Sequence, residues 1–427
     1  MLLHLCSFIL EEEGLGSGVM TMVVRELYLK QIRPFMGADL IKVLTGIRRS
    51  GKSALLMMIR DELLAQGIPP SRILYVNLES MMHADIRTAK GLYGYVKEHI
   101  SAEGRPVIFL DEIQEVTGWE QAVNGLLADL KADLYITGSN SRLLSSELAT
   151  YLAGRYVEFH IMPLSFEESI QFHDTYRKEQ VMDNRLLLDR YMRLGGFPVV
   201  HVMPYSEEEA AKIVGDIYSS VILRDVVERN GLRNIDLLER IIHFTFENIG
   251  NLFSAKKISD YMKNQHRSLG AETVYSYLSY LESAFVLHRV SRFDLRGKEV
   301  LQTNEKFYVG DHGLKHAVFG RRERDVSGLL ENIVYLELRR RGYQVYVGKL
   351  GEAEIDFVAE KNGKRQYLQV TLRMDDDRTR EREMRPLMAI QDQYPKTIVS
   401  LETVWNDDLQ GIRHIGLADF LLGALKQ

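Results

Sequence analysis

Short apolar runs alternate with longer helix-forming stretches along the first third of the chain. The segments 41–45, 106–110, 133–137 and 156–161 are rich in apolar residues, so we predict that each is a buried strand. Strong helix formers at 54–64 predict a helix soon after the first strand. Strands that are separated by helical segments are typical of an α/β fold with a parallel sheet.

The residues between the first strand and this helix fit the phosphate-binding loop pattern G-x-x-x-x-G-K-[ST] at every fixed position. The pattern and the first helical residue after it are Gly46, Ile47, Arg48, Arg49, Ser50, Gly51, Lys52, Ser53 and Ala54. The two glycines allow a tight turn that brings backbone N–H groups against phosphate oxygens. We expect Lys52 to reach the β- and γ-phosphates and the Ser53 hydroxyl to ligate Mg²⁺. The sequence therefore predicts nucleotide binding.

Two further strands end in polar residues that suit the same chemistry. The strand at 106–110 runs into Asp111 and Glu112. We expect Asp111 to hold the Mg²⁺ shell and Glu112 to orient or deprotonate the attacking water. After the strand at 133–137, Ser139 or Asn140 could sense the γ-phosphate, although a capped helix start is the alternative for this turn. No guanine-selecting N-K-x-D follows the acidic strand, so the prediction is ATP hydrolysis.

Composition adds general limits. The 427 residues are 45% hydrophobic and 26% charged, which is ordinary for a globular protein. A net charge of −5 argues against a protein that binds nucleic acid over most of its surface, but it does not exclude local basic patches. The single cysteine, Cys6, fits a reducing cytoplasm, and no apolar run reaches the roughly 20 residues that span a bilayer. Residues 1–21 are interpreted as an N-terminal extension, with Met20 or Met22 as the start.

The loop, the acidic strand and the run 137–144 resemble the AAA-type ATPases of archaea and bacteria that carry a C-terminal domain of unknown function. The resemblance covers nearly the whole chain from about residue 22. It is extended by the segments 152–156, 163–168, 195–198, 307–311 and 354–357. It implies a P-loop AAA-type ATPase core at 22–162 and a helical lid at 163–235. It further implies a winged-helix-like domain at 236–310 and a restriction-endonuclease-like α/β domain at 311–427.

Within this resemblance Arg155 is a candidate arginine finger. In ring-forming relatives an arginine late in the core reaches the γ-phosphate of a neighbouring subunit. This role would require a homo-oligomer, and a structural ion pair or an exposed loop arginine is the alternative. Arg48 and Arg49 could also touch phosphate, and we expect at least one of them to pair with an acidic neighbour.

The winged-helix resemblance rests on helices at 254–262 and 271–282, followed by a wing. Val274, Leu278, Leu281 and Phe285 recur at helical spacing and should face the core. The opposite face of the second helix has no lysine or arginine, which is a poor recognition surface for DNA. Basic residues lie around it instead: Lys256, Lys257, Lys263, Arg267, Arg289, Arg292, Arg296 and Lys298. DNA binding through these residues and a protein-docking role are both open.

The last part of the chain resembles the PD-(D/E)xK nuclease core. We predict an amphipathic helix at 329–338 and strands at 344–347, 353–358 and 366–372, the last two joined by the turn at 362–363. The resemblance implies a tentative metal site at Glu331, Asp356 and Gln369. The chain departs from the pattern because Gln369 replaces the acid and Thr371 replaces the lysine, which disfavours cleavage.

Three functions therefore remain open. The first is an ATPase that drives or switches an action on DNA. The second is a nucleotide-controlled switch that binds an unknown protein partner. The third is an ATP-gated, metal-dependent nuclease.

Overall fold

The computed structural model describes residues 22–100, 103–141, 154–177, 182–264, 270–320, 326–374, 377–402 and 408–423. The N-terminal extension, Arg267 and the run 142–153 lie outside these ranges, so the expectations for them stay predictions. Within these ranges, no helix has the length and the apolar composition that a membrane crossing requires.

Five parallel strands form the first sheet. They are β1 (Ile41–Thr45), β2 (Ile73–Asn77), β3 (Val107–Asp111), β4 (Asp133–Gly138) and β5 (Tyr156–His160). Their order is β2-β3-β4-β1-β5, which confirms the parallel α/β prediction. The sequence analysis did not assign β2, whose residues are mostly half-buried because it lies at the edge of the sheet. The carboxyl ends of β1, β3 and β4 meet at one edge.

Four helices accompany this sheet: α1 (Glu26–Ile32), α2 (Lys52–Ala65), α3 (Ala89–His99) and α4 (Trp119–Leu130). Strand residues alternate between the two faces of the sheet. Ile41 and Val43 pack in one core with residues of α3 and α4, while Leu44 and Phe109 pack in another with α1 and α2. The sheet is therefore covered on both faces, and its carboxyl edge remains for the loops.

A run of helices, called the lid below, lies in the range for which a lid was predicted. They are α5 (Phe166–Tyr176), α6 (Asn184–Leu194), α7 (Val199–Val202), α8 (Glu207–Ser220) and a π-helical segment (Val221–Glu228). Ser165 and Ser206 begin α5 and α8 with capping boxes, in which each serine and the glutamate three residues later satisfy each other's backbone N–H groups. The turn at 195–198 separates α6 from α7, as its two glycines and proline predict.

Three further helices and a hairpin follow. They are α9 (Ile235–Glu247), α10 (Ala255–Asn264), α11 (Ala271–Ser283), β6 (Leu287–Asp294) and β7 (Glu299–Val309). Ser254 caps α10, since the Lys257 N–H donates to Ser254 Oγ at 3.3 Å. Val274, Leu278 and Leu281 are buried as predicted, and the opposite face of α11 is exposed.

The remaining elements are the other strands of a second sheet and the helices that accompany them. They are α12 (Gly313–Phe319), α13 (Val326–Arg340), β8 (Gln344–Leu350), β9 (Ala353–Lys361), β10 (Lys364–Arg373), α14 (Asp377–Met388), β11 (Lys396–Glu402), β12 (Asp408–Leu409), β13 (Ile412–Gly416) and α15 (Leu417–Leu421). The strand order is β12-β13-β11-β10-β9-β8-β6-β7. Because β6 pairs with β8, the hairpin shares one sheet with the C-terminal strands, and the predicted division at residue 310 crosses this sheet.

The helix predicted at 329–338 is present within α13, but its predicted amphipathic character was wrong. Every residue of that range is buried, including Glu331, Asn332 and Glu337. Each polar side chain has a specific partner. Asn332 bonds both backbone groups of Val309 on β7, and Glu337 pairs with Arg340 at 2.8 Å. The helix is thus a central element of the C-terminal half rather than a surface helix.

Candidate nucleotide site

The phosphate-loop prediction places a turn between β1 and α2, and the structure has this arrangement. Gly46 (φ 142°) and Gly51 (φ 96°) both have left-handed backbones that favour glycine. A Cβ atom on Gly46 would lie 2.1 Å from the Ile161 carbonyl oxygen, so no larger residue fits there. Gly51 is the N-cap of α2, and the helix therefore begins at Lys52 with its free N–H groups facing the loop.

Lys52 is buried at this helix start. Its Nζ donates to the carbonyl oxygens of Gly46 (2.9 Å) and Ile47 (3.2 Å) and lies 3.9 Å from Glu112 Oε1. Burial lowers the pKa of Lys52, and the neighbouring carboxylates of Glu112 and Asp111 oppose this shift. The ammonium group is therefore held by backbone carbonyls, and no carboxylate contacts it at hydrogen-bond distance.

Asp111 and Glu112 lie at the carboxyl end of β3, beside this lysine. Asp111 accepts hydrogen bonds from the Tyr75 hydroxyl (2.7 Å) and from Thr137 Oγ1, while the Glu112 N–H donates to the same Thr137 oxygen at 2.8 Å. Tyr75 on β2 and Thr137 on β4 were not predicted. Their hydroxyls become significant only once the strand order puts them on either side of β3.

Glu112 has a strained backbone. Its φ of 55° and ψ of 55° are left-handed, which is uncommon for a residue with a side chain and is frequent at functional sites. Burial raises the pKa of the Glu112 carboxyl, and Lys52 opposes this shift. A glutamate with a raised pKa near a phosphate loop suits the predicted role of a proton acceptor.

The side chains available for Mg²⁺ are the Ser53 hydroxyl and the Asp111 carboxylate. Within the described ranges, no cluster of three or more histidine, cysteine or acidic side chains is arranged to hold a metal ion. This donor set suits Mg²⁺ in nucleotide sites, since the ion keeps several waters and takes the remaining ligands from phosphates. The residues present therefore fit the ion.

The lid contacts the phosphate loop through Asp225 of the π-helical segment. This carboxylate is fully buried and accepts hydrogen bonds from Arg48 Nε and Ser139 Oγ, both at 3.0 Å. Arg48 also bonds Glu79 at 3.1 Å, and Arg224 bonds the same glutamate. The prediction that one loop arginine pairs with an acidic neighbour is confirmed for Arg48, while Arg49 is exposed. Ser139 is at the site edge, bonded to the lid.

Arg25 is a buried residue that the sequence analysis missed. Its guanidinium forms a two-point pair with Glu168 of α5 (2.8 and 2.9 Å) and donates to the carbonyl oxygens of Ser50 (2.9 Å) and Met162 (3.0 Å). It thus fixes the back of the phosphate loop to the lid. No local pattern marks such an arginine, because its partners are remote in sequence.

The turn at 195–198, for which no chemistry was predicted, contacts a second family motif. Asp311 accepts hydrogen bonds from the N–H groups of Gly196 (2.7 Å) and Gly313 (2.8 Å), and burial raises its pKa to about 6. A Cβ atom at Gly195 would lie 2.0 Å from the Asp311 carboxylate. A Cβ atom at Gly51 would meet Pro198 at 3.6 Å, so this turn lies between the phosphate loop and the C-terminal half.

Arg155 does not approach its own phosphate loop. It is exposed at the amino end of β5, where its carbonyl accepts from the Ile41 N–H at 2.8 Å. The loop follows the opposite end of β1, and a strand pair of this length spans about 16 Å. Its predicted catalytic role is therefore restricted to a neighbouring copy.

The tentative C-terminal site has a lysine at its centre. Lys306 of β7 is 2% exposed, and its Nζ lies 2.9 Å from Glu331, 2.8 Å from Glu354 and 3.9 Å from Asp356. Gln369 Oε1 accepts from the Asp356 N–H at 3.4 Å. Glu331, Asp356 and Gln369 thus lie in one cluster, and the metal site expected there stays a prediction. Lys306 was missed because it comes from the hairpin and not from the third strand.

The comparisons with known proteins agree with the N-terminal site. Residues 38–170 match an AAA domain, and residues 185–325 match a domain of unknown function, DUF8612. An uncharacterized protein of Haemophilus influenzae is 38% identical over 402 residues, which are 94% of this chain and 99% of that protein. An uncharacterized protein of Methanocaldococcus jannaschii is 29% identical over 357 residues, covering 81% of this chain and 77% of the relative.

Among solved structures, a Walker-type ATPase of Pyrococcus abyssi resembles this chain with 16% identity and a TM-score of 0.49, covering 69% of this chain and 95% of that one. The matched AAA domain, the parallel sheet and the phosphate loop together identify residues 38–170 as an AAA domain of the P-loop type. The chain belongs to the same family as the Haemophilus influenzae protein.

Proposed function

We propose that this protein is a Mg²⁺-dependent ATPase. The observation that carries the proposal is that β1 and β3 bring Lys52, Asp111 and Glu112 to one edge of the sheet, next to the free N–H groups that begin α2. This is the arrangement that phosphoryl transfer from a nucleoside triphosphate requires. Adenine as the base rests on the sequence alone.

Each residue has a definite part in this reaction. The ammonium of Lys52 would exchange the loop carbonyls for the β- and γ-phosphate oxygens, whose charge it neutralises better. Ser53 and Asp111 would hold Mg²⁺, which supplies positive charge to the phosphates when bound. Glu112 would accept the proton of the attacking water as the bond to the γ-phosphorus forms and the bond to ADP breaks. Arg155 of a neighbouring copy would stabilise the charge that develops.

Steady-state ATP hydrolysis tests the proposal. Lys52→Ala and Glu112→Gln are each expected to lower kcat by roughly 10²-fold or more, the scale seen when an electrostatic or proton-transfer group is removed. Glu115→Gln, three residues after Glu112 in the same turn, is the matched control and should keep its turnover. Wild-type turnover that persists in both site variants would refute the assignment of these residues.

An action on DNA is the second candidate, supported by exposed lysines on α10. Lys256 and Lys257 are exposed, and no described carboxylate forms an ion pair with them. Arg289 is less suited to this role, since it pairs with Glu282 at 2.7 Å and with Glu305 at 3.7 Å. Duplex DNA should then raise turnover several-fold, and Lys256→Gln with Lys257→Gln should remove the increase. Turnover that is indifferent to DNA would favour the protein-binding switch.

A further inference from the structure

The lid contains a small cavity away from the phosphate loop. It has a volume of about 250 Å³, including the space at its mouth, and is lined by Ser169, His173, Arg177, Leu187, Arg190 and His201. Three helical segments contribute to it: α5 and the residue that follows it, α6, and α7. None of the lining residues belongs to the phosphate loop at 46–54, so the cavity is separate from the proposed ATP site.

The formally charged side chains that line this cavity are both arginines. Arg177 is 6% exposed and Arg190 is 8% exposed, and the two guanidinium groups repel each other. Among the described residues, no carboxylate forms an ion pair with either of them. Burial lowers the pKa of Arg177, and burial together with Arg177 lowers the pKa of Arg190 to about 10. Both side chains therefore bear a positive charge at neutral pH, with no carboxylate of the described residues within ion-pair distance.

Backbone carbonyls satisfy only part of these side chains. Arg177 Nη2 donates to the carbonyl oxygens of Met203 and Tyr205, and Arg190 Nη2 lies 3.5 Å from the same Tyr205 oxygen. The Nε of Arg177 is buried and has no hydrogen-bond acceptor within the described part of the chain. Buried charges in proteins are normally paired, because an unpaired charge in a low dielectric is strongly destabilising.

The remaining side chains do not supply the missing negative charge. Ser169 Oγ donates to the Phe166 carbonyl at 2.7 Å, and His201 Nε2 donates to the Gly195 carbonyl at 2.9 Å. Burial lowers the pKa of His201 to about 4, so this imidazole is neutral at pH 7. Asp189 of α6 and Glu207 of α8 pair with Arg193 at 2.7 and 2.8 Å, and the attraction of Glu207 opposes only part of the lowering of the Arg190 pKa.

We propose that this cavity is a second anion site, in which Arg177 and Arg190 bind an oxyanion such as a phosphate group. Guanidinium groups present planar, forked donors that match the spacing of oxyanion oxygens, whereas a halide uses one donor direction at a time. The enclosed space takes about one oxygen atom, so the rest of the anion would lie at the mouth. Both a free phosphate and the phosphate of a larger ligand fit this description.

An anion bound in this cavity would affect the contacts that the lid makes with the rest of the protein. Ser169 follows Glu168, which holds Arg25 and through it the Ser50 carbonyl of the phosphate loop. His201 bonds the Gly195 carbonyl, next to the Gly196 N–H that binds Asp311. An anion that draws Arg177 and Arg190 together would therefore tighten three helical segments that contact both the phosphate loop and the C-terminal half.

The test measures thermal stability against inorganic phosphate at constant ionic strength. It uses the full chain and also its Lys52→Ala variant, in which the phosphate loop lacks its lysine. Phosphate should raise Tm in both proteins, because the proposed site does not involve Lys52. Sulfate should act alike, and chloride should not. Glycerol phosphate is tested in parallel to distinguish a free phosphate from a larger ligand. A larger rise in Tm with glycerol phosphate than with inorganic phosphate would indicate that the site binds the phosphate group of a larger ligand.

Arg177→Gln and Arg190→Gln should each weaken phosphate binding roughly tenfold or more, the scale of one charge-assisted hydrogen bond. Arg190→Lys keeps the charge and should retain part of the binding. Arg185→Gln, at an exposed position of the same helix, is the matched control and should bind phosphate as the wild type does. These variants are compared by their phosphate-dependent change in Tm, so that a general loss of stability does not imitate the result.

Several outcomes would overturn the proposal. They are the absence of a phosphate effect in the wild type, an equal effect of chloride, and an unchanged effect in both Gln variants. Glu179 lies two residues after Arg177 and outside the described ranges. If phosphate binds only after Glu179→Gln, this glutamate is the counter-ion and the site is not a ligand site. The phosphate measurements on Lys52→Ala do not depend on ATP hydrolysis. A failure of this proposal can therefore be distinguished from a failure of the ATPase proposal.

Discussion

Two buried lysines, Lys52 and Lys306, face carboxylates in different halves of the molecule and are held in opposite ways. Lys52 donates to two loop carbonyls, and its nearest carboxylate, Glu112, is 3.9 Å away. Lys306 lies within 2.9 Å of both Glu331 and Glu354. Burial lowers the pKa of Lys52, whereas the surrounding carboxylates overcome burial and raise the pKa of Lys306.

The ammonium group of Lys52 can therefore exchange its hydrogen-bond partners for a ligand, whereas the charge of Lys306 is already neutralised by carboxylates. Lys52 contacts neutral carbonyl oxygens. Charged phosphate oxygens would form stronger hydrogen bonds with its ammonium group and would therefore replace them. The contacts of Lys306 are with charged groups inside the protein, and a divalent cation would have to displace a buried ammonium to enter. We therefore expect the first site to respond to ligands and the second to contribute to stability.

The largest expected effect follows from removing each lysine in turn. Lys306→Met leaves Glu331 and Glu354 without the cation that lies within 2.9 Å of both, which should lower the free energy of unfolding by about 3–5 kcal/mol. Lys52→Met removes an ammonium that has no close carboxylate, so stability should change by about 1 kcal/mol or less while turnover is lost. Denaturant unfolding and ATP turnover of both variants provide the measurement.

Lys364→Met, an exposed position on β10, is the control for the Lys306 variant and should unfold like the wild type. A Lys306→Met protein that is as stable as this control would contradict the idea of a neutralised cluster. It would show instead that the acidic groups take up protons at little cost when the lysine is absent.

A smaller effect is expected at the contact between the lid and the phosphate loop. Asp225→Asn keeps the shape of the side chain but weakens its bonds to Arg48 and Ser139. If this carboxylate holds both residues away from the γ-phosphate, the variant should bind ATP about tenfold more tightly, which corresponds to one charge-assisted bond. The affinity for ADP should change less, since it lacks the γ-phosphate. Equal changes for ATP and ADP would indicate a purely structural carboxylate.

The pH dependence of turnover is the next comparison. Glu112 must be ionised to accept a proton, and burial raises its pKa above that of an ordinary glutamate. Activity should therefore be high above the raised pKa and fall as the pH decreases through it, at a higher pH than a solvent-exposed glutamate would give. The acid side of the kcat/KM profile measures this, and it should be absent from the residual activity of Glu112→Gln. A profile that is flat down to the ordinary range would contradict the assignment.

Residues that act within one continuous segment were predicted from the sequence. The phosphate loop, its flanking strand and helix, Asp111 and Glu112 belong to local patterns whose chemistry fixes their spacing. Residues that act through the fold were missed, because Arg25 and Lys306 meet partners that lie more than twenty residues away. The helix at 329–338 was misjudged for the same reason, since its glutamates find buried partners that periodicity does not reveal.

The smallest expected effect is in a cleavage assay, where we expect none. The third strand offers Gln369 and Thr371, which are neutral, and neither is a base at neutral pH. Lys306 lies nearby, but it donates to Glu331 and Glu354 and its side chain is 2% exposed, so it is poorly placed to activate a water. DNA incubated with the protein, ATP and Mg²⁺ or Mn²⁺ should remain intact. Cleavage that Asp356→Ala abolishes would show that the cluster can release its lysine, and the contrast between the two lysines would then fail.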